Sequence, residues 1–237
     1  MMTFANRNSR TAVLPIRTAA VSLLWVAIAM ISGWISSEAM AADKTDNATI
    51  RIVALGDSLT AGYELPPSAA FPVQLEAALK KRGYSVGVAN AGVSGDTTSG
   101  GLQRLDWAVP EGTQAVILEL GANDALRGLF PETARENLDK IMTALDKRGI
   151  AVLLAGMRSP QNWGKDYVDG FESIYPDLAK KHDALLYPFF MEGVALDPML
   201  CLDDGLHPNT KGVARIVEGI LPDVEKLIAR VKQQAAK

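Results

Sequence analysis

The stretch that decides the fold is IRIVALGDSLTAGY, residues 50–63. Its first part, Ile50 to Leu55, is an apolar run rich in β-formers and is typical of a buried strand. Its second part places Gly56, Asp57 and Ser58 directly after that strand. A plain turn uses such residues, and so does a nucleophile held at the edge of a sheet. The rest of the chain decides between these two interpretations.

Outward from this stretch, apolar runs alternate with segments of helical period. Strands are predicted at residues 50–55, 85–90, 115–120, 150–155 and 184–187. Helices are predicted at residues 69–82, 132–148, 167–181 and 211–231, the last of them kinked or broken at Pro222. This alternation predicts an α/β fold with a parallel sheet and helices on both faces. Because sites in such sheets gather at the carboxyl ends of strands, the segments after each strand are the informative ones.

Composition sets limits on function. The chain has 237 residues, of which 48% are hydrophobic and 22% charged, with a net charge of −3. This is a globular composition, and it predicts no nucleic-acid partner. Cys201 is the only cysteine, so an internal disulfide is impossible and the core alone must stabilise the domain. We expect Cys201 to be a small buried residue rather than a reactive thiol.

The first 41 residues are predicted to be a secretory signal peptide, cleaved after Ala41. Arg7, Arg10 and Arg17 form a positive region, and an almost wholly apolar run follows from residue 18 to residue 36. Ala-Met-Ala at residues 39–41 has the small-x-small pattern of a signal-peptidase site. The alternative is an uncleaved membrane anchor, since the apolar run is close to spanning length. Residues 42–49 are then a short linker, and residues 50–237 form the domain.

Polar, turn-forming residues follow three of the predicted strands, and a fourth such segment precedes the last helix. These segments are GDSL at 56–59, NAGVSGD at 90–96, GAND at 121–124 and DDGLHP at 203–208. In a parallel sheet they could meet at one edge. Each motif alone is weak, and the α/β-hydrolase elbow Gly-x-Ser-x-Gly is absent.

A serine hydroxyl needs a base to accept its proton, and the base needs an orienting group. The chain has two histidines. His182 lies at a charged helix end and is predicted to be a solvated surface residue. His207 follows Asp204 by three residues and precedes a proline that favours a turn there. Asp204 can therefore reach one ring nitrogen of His207 while the other faces Ser58. Asp203 competes for the role of orienting the ring, but its separation of four residues from His207 is less suitable.

An ester hydrolase also needs donors for the oxyanion of the tetrahedral intermediate. The candidates are the backbone N–H of Gly92, the side-chain amide of Asn123 and the N–H of Ser58 itself. Ser94, on a Gly-flanked turn, is a rival nucleophile. Asp57 and Asp124 are predicted to be structural, accepting hydrogen bonds from nearby groups.

Taken in order, these segments resemble the SGNH hydrolases, or GDSL esterase/lipase family, which is named for a Ser, Gly, Asn and His in separate blocks. Ser58, Gly92, Asn123 and His207 match those blocks, and Asp204 takes the family's Asp-x-x-His position. Two segments, GDSLTAGYELPPSAAFPVQL and PFFMEGVALDPMLCLDDGLHPN, resemble the corresponding segments of bacterial periplasmic esterases of the thioesterase I, lysophospholipase and arylesterase type. Many relatives have Gly-Gly-Asn-Asp-Gly where this chain has GANDA at 121–125, so substrate preference transfers less well than chemistry.

The resemblance implies a flavodoxin-like, three-layer α/β/α sandwich with a five-stranded parallel sheet. It implies a serine acyl-enzyme route with no metal and no cofactor. The expected substrates are small-molecule carboxylic esters and possible thioesters, including lysophospholipid, aryl and short-to-medium acyl esters. The expected protein is a periplasmic or secreted monomer with no stable membrane anchor after signal cleavage. Candidate residues for an acyl groove are Leu126, Leu129, Phe130, Phe189, Phe190 and Met191; for each of them an ordinary place in the core is the alternative.

Two alternatives stay open at this point. In the first, Asp57, Asn123, Asp204 and His207 are ligands of a metal-dependent phosphoesterase, because oxygen and imidazole nitrogen suit divalent metals. In the second, the domain binds a ligand without catalysis. The intact set of serine, carboxylate and imidazole favours the esterase.

Overall fold

The computed structural model describes residues 49–236, and the predicted signal peptide and most of the predicted linker lie outside this part of the chain. Five parallel strands form one sheet in the order β2-β1-β3-β4-β5. Their bounds are β1 Ile50–Gly56, β2 Val86–Gly92, β3 Ala115–Glu119, β4 Ala151–Ala155 and β5 Leu185–Tyr187. All five predicted strands are confirmed, with β2 ending two residues later than predicted.

The register of the sheet brings the polar segments together. β1 lies between β2 and β3, and Gly56 at its end pairs with Gly92 on one side and with Glu119 on the other. The segments that follow these three strands therefore start side by side at the same edge. This is the crevice in which parallel α/β sheets place their sites.

Helices cover the sheet in two groups, which gives the predicted three-layer α/β/α arrangement. α2 packs against α9, while α6 packs against α3, α7 and α8. The helix bounds are α1 Ser58–Ala61, α2 Phe71–Lys81, α3 Thr98–Gln103, α4 Leu105–Ala108, α5 Ala122–Leu126, α6 Pro131–Lys147, α7 Lys165–Glu172, α8 Ile174–Lys181 and α9 Thr210–Ala235. Short 3₁₀ turns occur at Pro67–Ala69 and Gln161–Trp163.

Two helix predictions need correction, and both concern proline. The predicted single helix 167–181 is two helices that meet at Ser173. Pro176, in the first turn of α8, has no N–H to continue the hydrogen-bond ladder, and proline is tolerated at that position. Conversely, of the kink or break predicted at Pro222, the break is excluded, because α9 continues through it from Thr210 to Ala235. The apolar side of α9, with Leu221 and Val224 buried beside the proline, offsets the lost hydrogen bond.

The core is built around the sheet. β1, β3 and β4 are buried at nearly every position, as expected for strands covered on both faces. Cys201 is buried, with its thiol directed at the carbonyl of Val194, which confirms its predicted packing role. Within residues 49–236, no helix is long and apolar enough to cross a membrane.

Candidate active site

Ser58 is the first residue of α1, immediately beyond the end of β1. Asp57 caps this helix, because its Oδ1 accepts a hydrogen bond of 2.9 Å from the Leu59 N–H. The structural role predicted for Asp57 is thereby confirmed. The Ser58 N–H itself has no acceptor among the described residues, so a free donor lies beside the serine hydroxyl.

Ser58, His207 and Asp204 form one hydrogen-bonded chain. The Ser58 Oγ lies 2.8 Å from His207 Nε2, and His207 Nδ1 lies 2.6 Å from Asp204 Oδ2. An ionised carboxylate only accepts hydrogen bonds, so Nδ1 carries the proton and donates it to Asp204. In the neutral ring Nε2 is then free to accept from the Ser58 hydroxyl. Asp203, the competing orienter, makes no hydrogen bond to His207.

The loop that carries Asp204 and His207 is closed by backbone hydrogen bonds. The Leu202 N–H donates to the His207 carbonyl (2.8 Å), and the Asn209 N–H donates to the Leu200 carbonyl (2.8 Å). Asn209 also caps α9, since its Oδ1 accepts from the N–H of Lys211. The imidazole is therefore fixed both by its own loop and by the start of the last helix.

Asp204 is held as an anion. Desolvation raises its pKa, but hydrogen bonds from the His207 N–H and ring and from the Leu206 N–H outweigh it and lower the pKa to about 2. Its Oδ1 accepts the Leu206 N–H at 2.9 Å and the His207 N–H at 3.0 Å. The carboxylate stays charged through the neutral range, as an orienting group for the imidazole requires.

The three predicted oxyanion donors differ in their present partners. Asn123 Nδ2 donates to Asp57 Oδ2 at 3.1 Å, which uses one of its two hydrogens. The N–H of Gly92 donates to Asn90 Oδ1 at 3.0 Å. Position 92 also needs a glycine for a steric reason, because a Cβ there would lie 2.3 Å from the backbone nitrogen of Ala61. Ser58 and Asn123 thus offer unused hydrogens, whereas the Gly92 N–H is already engaged.

A cavity of about 650 Å³ opens beside Ser58, Asn123 and His207. This volume is in the range of small-molecule sites. Of the predicted groove residues, Leu126, Phe189 and Met191 line it. Phe190 is instead fully buried in the core, and Leu129 and Phe130 are exposed without lining the cavity. Further lining comes from Leu59, Ala122, Met157, Arg158, Ser159, Pro160, Gln161, Glu192, Gly193, Ala195, Leu196, Gly205 and Leu206.

Two residues that sequence reasoning missed support this edge of the sheet. The ring of Tyr63 packs against that of His207, with centroids 4.5 Å apart. Arg104 is buried and donates to the carbonyls of Gly56 and Ala91 at 2.8 Å each, while pairing with Asp96 at 2.6 Å. The only sequence signal for Tyr63 was its place at the end of the quoted stretch. Arg104 gave none, because its partners lie in two other segments, at the end of β1 and in residues 90–96.

Three other sequence expectations have clear outcomes. Asp124 accepts two hydrogen bonds from Thr98, at 2.8 and 2.7 Å, so its structural role is confirmed. Ser94 is exposed and makes no hydrogen bond to either histidine within the described chain. The prediction for His182 is wrong: its side chain is only 6% exposed and lies between Asp139 and Asp146. The residues around it looked like a solvated helix end because its carboxylate partners come from α6, far away in sequence.

The ligands suggested for a metal-dependent phosphoesterase do not form a coordinating group. Within residues 49–236, no cluster of three or more histidine, cysteine, aspartate or glutamate side chains is placed to hold a metal ion. Asp57 and Asn123 bind each other, and Asp204 and His207 form a pair of their own.

A parallel α/β sheet with a Ser-His-Asp chain at its carboxyl edge defines a class of serine hydrolases. The sequence profile of the GDSL-like Lipase/Acylhydrolase family matches residues 54–215. The chain belongs to this family, which confirms the resemblance inferred from its motifs.

Similar proteins agree with this assignment. An arylesterase of Vibrio mimicus is 41% identical over 180 residues, which cover 76% of this chain and 90% of the relative. The thioesterase 1/protease 1/lysophospholipase L1 of Escherichia coli K12 is 39% identical over 178 residues, covering 75% and 84%. The crystal structure of AlinE4, an SGNH-hydrolase family esterase, is similar with a TM-score of 0.64 and 46% identity, covering 75% of this chain and 96% of that one. This chain is accordingly an ester-hydrolysing enzyme.

Proposed function

We propose that the chain is a serine esterase in which Ser58 is the nucleophile, His207 the general base and acid, and Asp204 the orienting carboxylate. The observation that carries this proposal is the continuous hydrogen-bonded chain from Ser58 Oγ through His207 to Asp204, with distances of 2.8 and 2.6 Å, beside a largely apolar cavity. The hydroxyl, the base and the orienting group are the three parts that nucleophilic acyl transfer needs.

The reaction then proceeds in two halves. Ser58 Oγ attacks the acyl carbonyl while His207 Nε2 accepts the hydroxyl proton, and the same proton passes to the leaving alcohol or thiol as the carbon–oxygen or carbon–sulfur bond breaks. Water then attacks the acyl carbon while His207 Nε2 accepts its proton. The bond between the acyl carbon and Ser58 Oγ breaks, and His207 returns the proton to Ser58 Oγ, which releases the acid. The tetrahedral oxyanion is stabilised by the Ser58 N–H, the free hydrogen of the Asn123 amide and the Gly92 N–H. The last of these donors has to be shared with, or released by, Asn90.

The proposed substrates are small carboxylic esters whose acyl or aryl part enters the apolar cavity. Leu126, Phe189 and Met191 supply apolar contact there, and burying hydrocarbon against them is favourable in proportion to the area removed from water. Aryl esters, short-to-medium acyl esters, lysophospholipids and thioesters are all within this class. The Vibrio relative is named an arylesterase and the Escherichia relative a thioesterase and lysophospholipase, which supports this class of substrates.

The proposed place of action is the periplasm or the exterior of the cell, as a monomer released after cleavage behind Ala41. The basis is the charged, apolar and small-residue pattern of the first 41 residues. Export disfavours cytosolic acyl-CoA as the natural substrate, which leaves lysophospholipids and simple esters as the expected ones. Intact mass of the exported protein should show an N-terminus at Ala42, and retention of residues 1–41 would overturn this part of the proposal.

The test of the chemistry is the hydrolysis of p-nitrophenyl esters by wild type, Ser58→Ala and Ser94→Ala. Ser94 is a matched control, because it is an exposed serine on the rival turn. We expect Ser58→Ala to lose at least about 10³-fold in kcat and Ser94→Ala to keep the wild-type rate. A serine-directed phosphonate should label wild type and Ser94→Ala once per chain and leave Ser58→Ala unlabelled, with or without EDTA. Wild-type turnover by Ser58→Ala would end the proposal.

A further inference from the structure

Glu119 is a buried acid beneath the nucleophile that the mechanism does not use. It ends β3 and is fully buried, and its Oε2 accepts the Thr60 hydroxyl at 2.6 Å and the Asp57 N–H at 3.3 Å. Its other oxygen, Oε1, is buried and has no hydrogen-bond partner. A buried polar atom without a partner is costly and calls for an explanation.

Gly56, in the stretch of residues 50–63 that follows the first strand into α1, leaves space for the Glu119 carboxyl group. Gly56 pairs with Glu119 across the sheet. A Cβ on Gly56 would lie 2.1 Å from Thr60 Oγ1 and 2.5 Å from Glu119 Oε2. The first glycine of the motif therefore leaves room for the hydrogen bond between Thr60 and Glu119.

Glu119 and Asp57 are two buried carboxyl groups with no cation between them. Neither takes part in an ion pair among the described residues. Burying two adjacent anions in this way is prohibitively costly, so one of them must be neutral. Asp57 accepts a hydrogen bond on each oxygen, from Leu59 and Asn123, whereas Glu119 has one oxygen with none. The geometry therefore places the proton on Glu119 and the charge on Asp57.

The other groups around Glu119 do not change this assignment. Tyr175 of α8 donates its hydroxyl to the Leu120 carbonyl at 3.0 Å, and Arg104 reaches the carbonyl of Gly56 rather than the carboxyl group. Burial, and then the charge of Asp57, raise the pKa of Glu119 well above its usual range. Burial also raises the pKa of Asp57, but hydrogen bonds from Leu59 and Asn123 oppose that rise.

We propose that Glu119 is a positioning residue: as a neutral carboxylic acid it holds the Asp57 N–H and the Thr60 hydroxyl, and so fixes both the nucleophile and the oxyanion donor. The connection runs from Glu119 to the backbone of Asp57, then through the Asp57 carboxylate to the Asn123 amide, and through Thr60 to the helix that begins at Ser58. This inference rests on the proposed esterase function. When Glu119 ionises, its charge repels Asp57 and disturbs Ser58 and Asn123 together.

The test compares Glu119→Gln, Glu119→Ala and the exposed control Glu111→Gln. A glutamine oxygen can accept both hydrogen bonds, and its NH₂ takes the position without a partner. Since small displacements of reacting groups cost up to about 10²-fold, we expect Glu119→Ala to lose about 10- to 100-fold in kcat and Glu119→Gln to stay within about threefold of wild type near pH 7. The alkaline loss of kcat caused by Glu119 ionisation should be present in wild type and Glu111→Gln and absent from Glu119→Gln. A loss in Glu119→Gln as large as in Glu119→Ala, or an unchanged alkaline limb, would overturn the proposal.

A second measurement is independent of hydrolysis and of whether Glu119→Ala folds. The unfolded Glu119 ionises near its ordinary pKa of about 4.3, while the folded group stays neutral to a higher pH. The free energy of unfolding therefore falls as pH rises from there to the folded pKa. In the Ser58→Ala background, Glu119→Gln should make this fall less steep above about pH 5, where the unfolded carboxyl group is ionised, and Glu111→Gln should leave it as it is. Equal slopes in all three proteins would refute the neutral carboxyl even if the enzyme proves to be an esterase.

Discussion

Replacing Asp204 with asparagine should invert the tautomer of His207. Asp204 Oδ1 accepts two N–H groups, from Leu206 at 2.9 Å and from His207 at 3.0 Å. The carbonyl oxygen of an asparagine must keep that place, because an NH₂ there would face two donors. Its NH₂ then faces His207 Nδ1, which can only accept, so the ring proton moves to Nε2. A ring protonated at Nε2 cannot take the proton of Ser58.

The expected loss in kcat for Asp204→Asn is about 10⁴-fold, or roughly 5 kcal/mol in activation free energy at about 1.36 kcal/mol per tenfold. The assay is the initial rate of p-nitrophenyl butyrate hydrolysis, with circular dichroism to show that each variant is folded. Asp204→Ala is the control. The Asp204 side chain is 36% exposed, so water can accept the Nδ1 proton and the productive tautomer persists. Asp204→Ala should therefore be at least about tenfold faster than Asp204→Asn. An alanine variant slower than the asparagine variant would refute the reasoning.

Two further predictions concern the donors around the serine. Asn123→Ala should lower kcat by about 10²–10³-fold with a smaller change in KM, because an oxyanion donor acts mainly in the transition state; a change confined to KM in steady-state kinetics would contradict that role. Gly92→Ala should lower the free energy of urea unfolding by more than about 2 kcal/mol, because its Cβ would lie 2.3 Å from the Ala61 nitrogen. Gly87→Ala on the same strand, where a Cβ meets nothing within 4 Å, is the matched control and should change stability by less than about 1 kcal/mol; equal losses in the two variants would remove the steric explanation.

The parts of the site that depend on short-range sequence signals were predictable. Ser58 follows a strand that can be recognised from its apolar residues, and Asp204 and His207 are separated by three residues before a proline. The alternation of strands and helices then places both segments at one edge of a parallel sheet. No long-range information beyond that topology was needed to pair them.

The parts that depend on packing were not predictable from one sequence. His182 is enclosed by two carboxylates of α6, and Phe190 is in the core rather than the groove, although each looks like its neighbours in the sequence. Pro222 does not break α9, because burial of the adjacent apolar side chains outweighs the local preference of proline. Glu119 lies within the strand predicted at residues 115–120, and only the register that puts it beside Gly56 shows what it contacts.

The closed loop from residue 201 to residue 208 has a consequence for how activity is lost. The acid-base couple is encoded within four consecutive residues and is tied by the loop's own backbone bonds, so its assembly requires little long-range chain closure. The contact between Ser58 and His207 instead spans 149 positions of the chain and depends on the whole sheet. Gentle heating or dilute denaturant should therefore inactivate the enzyme by separating the Ser58 hydroxyl from His207, while the hydrogen bond between His207 and Asp204 is still formed.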